Sequence, residues 1–236
     1  MRKANHATPR CFTLFIILSF IVTATGCQTN LALEKNKTTL DTSKESIALM
    51  TIRISNEVKQ QPQLNLFNID IKTGEAKKAR RFKNIWRSHY VVRDQFYEYP
   101  ISFALPPGKN TILLIEGGIV GGPPVIFGIE PSISFNLEPD SIVYVGHLQM
   151  VNRMKKEGEK QLARFRPFDY HPVNLALAYD AYEASGLAEG TMELTISDRF
   201  DEDIKNFKQR YPLLENYTVK KDIMKPKEEQ DKNRTP

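Results

Sequence analysis

From Ile47 to Phe165 the chain is divided into short apolar or alternating runs closed by turn residues, and this rhythm limits the fold more than any other feature. Ile47–Ile54 (IALMTIRI) alternates over its second half, as a half-buried strand does. Leu64–Ile71 (LNLFNIDI) alternates more cleanly but slips in phase near Phe67, and a β-bulge accounts for such a slip. Thr73-Gly74 marks a turn before a third run through Phe82, Ile85 and Trp86. The sharpest hairpin signal joins Tyr99–Leu105 to Thr111–Ile115 through Pro106-Pro107-Gly108-Lys109, where proline pre-sets φ and glycine accepts positive φ. Further strands are expected at Val125–Ile129, Ile133–Leu137, Ile142–Met150 and Gln161–Phe165, with Glu138-Pro139-Asp140-Ser141 as a turn. Strands so spaced predict a mainly β fold, an antiparallel β-sandwich.

The texture changes further on. Met192–Ile196 reads as one more strand and Asp198–Tyr211 as an amphipathic helix, because Phe200, Ile204, Phe207 and Tyr211 share one face. Asp198 is placed to cap it, Asp201, Glu202 and Asp203 fill the first turn, and Lys205, Lys208 and Arg210 follow, as the helix dipole favours. Pro212 stops it. Such a helix is expected to cover apolar surface that the strands leave bare. Pro172–Ser185 reads either as a short helix ending at Gly186 or as an irregular insertion, and 220–236 reads as a charged, disordered tail.

Only two cysteines occur, Cys11 and Cys27, so nothing downstream can hold a disulfide or a cysteine-based metal site. A mean hydropathy of −0.41 excludes a polytopic membrane protein. The start of the chain is different in kind. Arg2, Lys3 and Arg10 precede an apolar run, Cys11–Val22, and no acidic residue appears before Glu34. Those residues would span only about 18 Å as a helix, against a hydrocarbon core of roughly 30 Å, so an export signal fits better than a spanning helix. The small residues that follow, Ala24-Thr25-Gly26-Cys27, resemble a bacterial lipobox.

That resemblance implies cleavage before Cys27 and acylation of its thiol, since a thiol alkylates to a stable thioether and each buried methylene contributes roughly 0.8 kcal/mol. Removing residues 1–26 leaves 210 of the 236, and loss of Arg2, Lys3 and Arg10 lowers the formal charge from +5 to +2. Gln28–Ser46 then reads as a flexible tether, about 24 Å end to end as a coil. The expected order is therefore signal 1–26, lipidated tether 27–46, β-sandwich domain with its helix 47–219, and tail 220–236. Gln28 stands where aspartate resembles an inner-membrane retention signal, so an outer-membrane location is expected if the source is Gram-negative.

A second resemblance covers Ile47–Met150. The Leu105-Pro106-Pro107-Gly108 turn and the Tyr144-Val145-Gly146 strand are similar to small sandwich domains of bacterial lipoproteins, of transthyretin-like or carboxypeptidase-regulatory-like type. It implies structural or binding duty rather than catalysis.

Chemistry-bearing motifs are sparse. His6 leaves with the signal, and His89, His147 and His171 show no HExxH or His-x-His spacing, so no metal or other cofactor is expected. His147 reads as a sheet-surface residue, and Asp169-Tyr170-His171 as an exposed loop. No G-x-S-x-G elbow is present, and no enzyme is expected. Gly117, Gly118, Gly121 and Gly122, followed by two prolines, read as a wide loop able to contact a partner. Lys77, Lys78, Arg80, Arg81 and Lys83 form a basic run suited to a solvated face or to anionic head groups. Nucleic acid does not suit a nearly neutral, exported chain. The reading is a membrane-anchored envelope protein with an interaction or scaffolding role. The alternative is a carbohydrate- or peptidoglycan-binding module using Trp86, Tyr90, Tyr97 and Tyr99.

Overall fold

The computed structural model describes residues 28–29, 32–33, 38–58, 66–73, 80–82, 91–93, 96–119, 127–162, 164–165, 176, 179–180 and 182–226. The fold is mainly β and is built from two sheets. The first runs β1 (Gln28–Thr29), β4 (Arg80–Phe82), β3 (Leu66–Thr73), β7 (Gly108–Ile119), β8 (Phe127–Ile129) and β11 (Arg164–Phe165), with β9 (Ile133–Leu137) also on β7 and β14 (Lys225–Pro226) on β9. The second runs β12 (Gly190–Ser197), β10 (Ile142–Met154), β2 (Ser46–Asn56), β6 (Phe96–Leu105) and β5 (Val91–Arg93), with β13 (Val219–Lys221) also on β10.

One core joins them. Ala48, Met50, Ile52 and Ile54 of β2 and the alternate residues Tyr97 to Leu105 of β6 pack in a single cluster with Ile112, Ile115, Phe127, Ile129, Ile133, Phe135 and Leu137 of the first sheet. Gly108 takes φ +105° at the turn, a conformation that suits a residue without Cβ. β3 slips register against β7 between Leu66 and Asn68, where the phase of the sequence breaks.

The second sheet is covered on its outer face as well. Helix α1 (Phe200–Arg210) buries Ile204 and Phe207, which cluster with Tyr211, Leu214, Ile47, Leu49, Ile142 and Tyr144. β2 is therefore apolar on both faces, which is why IALM reads as a continuous run rather than an alternation. Arg199 occupies the position just before the helix, and Asp198 instead accepts the Phe200 N–H at 3.1 Å and pairs with Lys221 at 2.7 Å. A 3-10 turn, Pro212–Asn216, follows the helix.

Three expectations are corrected. The sandwich is not purely antiparallel: β2 and β10 run parallel from Ile47↔Ile142 to Asn56↔Asn152, because alternation encodes which face a residue occupies and says nothing of strand direction. The stretch read as a free tether is docked. Gln28–Thr29 pair with β4, Ala32 and Leu33 are buried with the helix cluster, and their N–H groups donate to the Ser102 carbonyl at 3.1 Å and the Ser102 hydroxyl at 2.8 Å. The tail is ordered at its start, since β13 runs into it, β14 lies within it and Met224 is buried in the core. Residues 227–236, like residues 1–27, lie outside the described residues.

Candidate functional site

The most concentrated chemistry sits between β10 and α1. β10 carries a bulge: Tyr144 pairs with Leu49 and Gly146 with Met50, so one extra residue is accommodated, and Gly146 takes φ +122°. Tyr144 and His147 consequently face the same way. The Tyr144 hydroxyl donates to Asp203 Oδ2 at 2.7 Å, and His147 Nδ1 lies 3.0 Å from the same oxygen. His147 and Asp203 expose only 1% and 2% of their side chains. Burial, reinforced by the Asp203 carboxylate, raises the Tyr144 phenol well above its ordinary pKa. His147 Nε2 is buried with no hydrogen-bond partner among the described residues.

His147 is thus not the sheet-surface residue that its strand position predicts. The carboxylate facing it comes from the inner side of the helix, where Asp203 lies beside Ile204 and Phe207. An acid at that position of an apolar stripe, together with a glycine inside a strand, is the sequence signal for this pair. A histidine oriented by a carboxylate is one half of a proton relay, but a substrate would have to reach Nε2 through packed residues. Outward from the pair, Glu98 lies 3.8 Å from Arg53 and 4.0 Å from Arg199, and the Arg53 guanidinium lies over the Phe96 ring at 3.6 Å. The network braces β2, β6 and the start of α1.

An accessible concavity lies elsewhere. A cleft of about 260 Å³ opens where β8 and β11, at the end of the first sheet, meet β12, at the edge of the second. Lys160, Arg164 and Glu130 bring charge to it, and Leu162 and Leu194 give it an apolar wall. Gln161 is fixed there, its amide donating to the Tyr182 hydroxyl and the Leu187 carbonyl, each at 2.7 Å. Lys160 and Arg164 form no ion pair with another described residue. Tyr179, 46% exposed, packs edge-on against Phe165 next to Arg164. At about 260 Å³ the cleft is smaller than the ~300–1,000 Å³ of a drug-sized site.

Among the described residues, those singled out in the sequence do not converge on one site. Gly117 and Gly118 are not loop residues: both lie in β7, opposite Ile69 and Asn68, and Gly117 also pairs with Phe127. Backbone pairing on both sides closes Gly117 to a partner, and Gly118 is paired with Asn68. Gly121 and Gly122 lie outside the described residues. Arg80 and Arg81 form β4 with Phe82, while Lys77, Lys78 and Lys83 lie outside. Tyr97 and Tyr99 are buried in the core and cannot stack on a sugar. Trp86, Tyr90, His89 and His171 lie outside the described residues. Among the described residues no His, Cys, Asp and Glu gather in a metal-binding group, and no helix is long and apolar enough to cross a membrane.

Searches of family models, of curated proteins and of solved structures find no match to this chain.

Proposed function

We propose that this chain is a bacterial envelope lipoprotein, acylated at Cys27, whose β domain holds a binding surface away from the membrane for an envelope protein or polymer. The observation that carries the reading is the layout of the first sheet. β1, which begins one residue after Cys27, is its first strand, and β11, beside the open cleft, is its last. Five interstrand steps at ~4.8 Å separate them by about 24 Å. The sheet itself then does the work that the sequence assigned to a tether. A non-catalytic role is supported by the contrast between the enclosed His147–Asp203 pair and the open, charged cleft.

Two experiments test it. Mass spectrometry of the membrane-extracted protein should find a mature chain starting at an acylated Cys27, and an unmodified thiol there would rule out the lipoprotein reading. A photo-crosslinker at Leu162 should capture a specific envelope component, whereas one at Lys205 on the exposed side of α1 should not; equal capture at both would count against the cleft. A peptidoglycan or carbohydrate ligand is the second reading. The exposed Tyr179 favours it, because an aromatic face near charged groups suits a sugar or a peptide stem.

A further inference from the structure

Among the described strands at a sheet edge, only β12 is long. β1, β5, β11, β13 and β14 have two or three residues each, whereas β12 has eight. Short strands keep a sheet edge from pairing with another chain, as do lysine, proline and bulges. β12 (GTMELTIS) has no lysine or proline, and its register with β10 is unbroken from Gly190 to Ser197. Its one charge, Glu193, is held by Arg153 at 2.5 Å.

The ladder fixes which backbone groups point outward. The N–H and C=O of one strand residue point to the same side, and successive residues alternate. The Asn152 carbonyl accepts the Glu57 N–H at 2.8 Å, toward β2, so His147, Gln149 and Val151 turn their groups toward β12. Their partners Ser197, Thr195 and Glu193 face back, which leaves Met192, Leu194 and Ile196 directed outward. Gly190 obeys the same parity, its N–H donating away from β10 to the Gly186 carbonyl at 3.0 Å. Among the described residues nothing bonds to the outward groups of Leu194 and Ile196.

We propose that β12 pairs with β12 of a second copy of this chain, antiparallel about a two-fold axis at Leu194. That register sets Leu194 opposite Leu194 and Met192 opposite Ile196, so three facing pairs give about six backbone hydrogen bonds. In the alternate rows it sets Glu193 opposite Thr195 of the second copy. A register centred on Glu193 would instead bring two carboxylates to the closest cross-strand distance. Charge at the two ends of β12 favours a second copy as the occupant. At the Thr191 end stands Lys160, whose carbonyl accepts the Thr191 hydroxyl at 3.1 Å; its ammonium forms no ion pair with a described residue. The Ser197 end leads into the first turn of α1, where Asp198 and Glu202 are paired with Lys221 and Arg199 and the exposed Asp201 has no such pair among the described residues. Antiparallel pairing brings the Lys160 end of each copy to the Asp201 end of the other. The pairing requires neither acylation of Cys27 nor a ligand in the cleft.

Sedimentation equilibrium of the purified full chain in density-matched detergent tests the proposal. The expected result is a dimer that dissociates on dilution through the micromolar range. Thr195→Glu should weaken it about tenfold, because the like-charge contact with Glu193 occurs twice, and Thr195→Lys should not weaken it. Thr195 is exposed and faces Gln149 within its own copy, so neither variant sets a like charge opposite in the monomer. Leu194→Pro should abolish the dimer, since proline removes an outward N–H and spares the ladder to β10. A monomer at every concentration up to the solubility limit overturns the proposal. So does a dimer that Thr195→Glu and Leu194→Pro leave unchanged, because it forms through another surface. A photo-crosslinker at Thr195 should yield a covalent dimer of this chain in the membrane; capture of a different protein there overturns the self-pairing and leaves the cleft reading standing.

Discussion

Tyr144 and His147 stand three residues apart on one strand and yet reach the same carboxylate oxygen of Asp203, at 2.7 and 3.0 Å. On a regular strand residues i and i+3 point to opposite faces. The extra residue at the Gly146 bulge is what brings them together. The bulge also divides one edge of β10 between two partners, β13 on Ile142–Tyr144 and β12 from His147 onward.

Gly146→Ala tests the bulge. A Cβ there would meet Met224 Cε at 3.4 Å and Ile223 Cγ2 at 3.5 Å, so space is nearly sufficient and the φ of +122° sets the cost. The expected loss is about 1–3 kcal/mol in urea unfolding, the usual strain of an L-residue in that region. Deleting Gly146 should instead leave Tyr144 and His147 two residues apart, on one face of a regular strand, so both should still reach Asp203.

Asp203→Ala should leave two buried donors without an acceptor. Each orphan costs about 1–3 kcal/mol, so the loss should exceed that of Tyr144→Phe, which removes one partner and leaves the carboxylate to His147. A double-mutant cycle between Tyr144→Phe and Asp203→Ala should give a coupling of at least about 0.5 kcal/mol. Strict additivity would show that the hydroxyl and carboxylate act independently.

The raised pKa of Tyr144 predicts an alkaline limb. Burial is the main cause and Asp203 the second, and both disfavour the phenolate in the folded state. The unfolded chain releases this proton at about pH 10 while the folded chain retains it. The contribution is therefore fully present below about pH 10 and declines as pH rises beyond it. Tyr144→Phe should flatten the alkaline limb of the stability profile, measured by urea unfolding from pH 8 to 11.5.

Much of the β core could be read in the sequence because inward alternation and the Pro106-Pro107-Gly108 turn are local signals. Tyr99, Ile101 and Phe103 alternate toward the core, and Gly108 turns where φ must be positive. What pairing partners a strand has is not local. The parallel contact of β2 with β10, and the pairing of β1 with β4, depend on segments far apart in the chain. The polar composition of Gln28–Ser46 concealed Ala32 and Leu33, which are buried with the helix cluster and bonded to Ser102. The Asp203 pair was hidden for a related reason: it joins a helix to a strand more than fifty residues earlier.

Leu33→Ala should cost about 2–5 kcal/mol, as for a buried leucine, whereas a tether residue would cost almost nothing. Ser102→Ala leaves the Leu33 N–H without its hydroxyl acceptor. Hydrogen exchange at the Leu33 amide should accelerate in Ser102→Ala while amides within β6 keep their protection.

The turn that presents Lys160 to the cleft is held by a clamp. Arg153 reaches both carboxylate oxygens of Glu159, at 2.9 and 2.6 Å, and Glu193 of β12 at 2.5 Å. The Lys156 N–H adds a 3.0 Å bond to Glu159. Arg153 first, and that backbone donor second, pull the Glu159 pKa down to about 2. A depressed carboxylate contributes above its unfolded pKa, near 4.3, and loses that contribution as pH falls toward the folded value. Carboxyl NMR should therefore show Glu159 titrating near pH 2, and in Arg153→Gln much closer to the ordinary glutamate range. The clamp is solvent-exposed, so global stability should change little. Local consequences should be larger: freed from Arg153, the turn no longer fixes Lys160 beside Arg164, and a crosslinker at Leu162 should capture its partner less efficiently at neutral pH even though both cations remain.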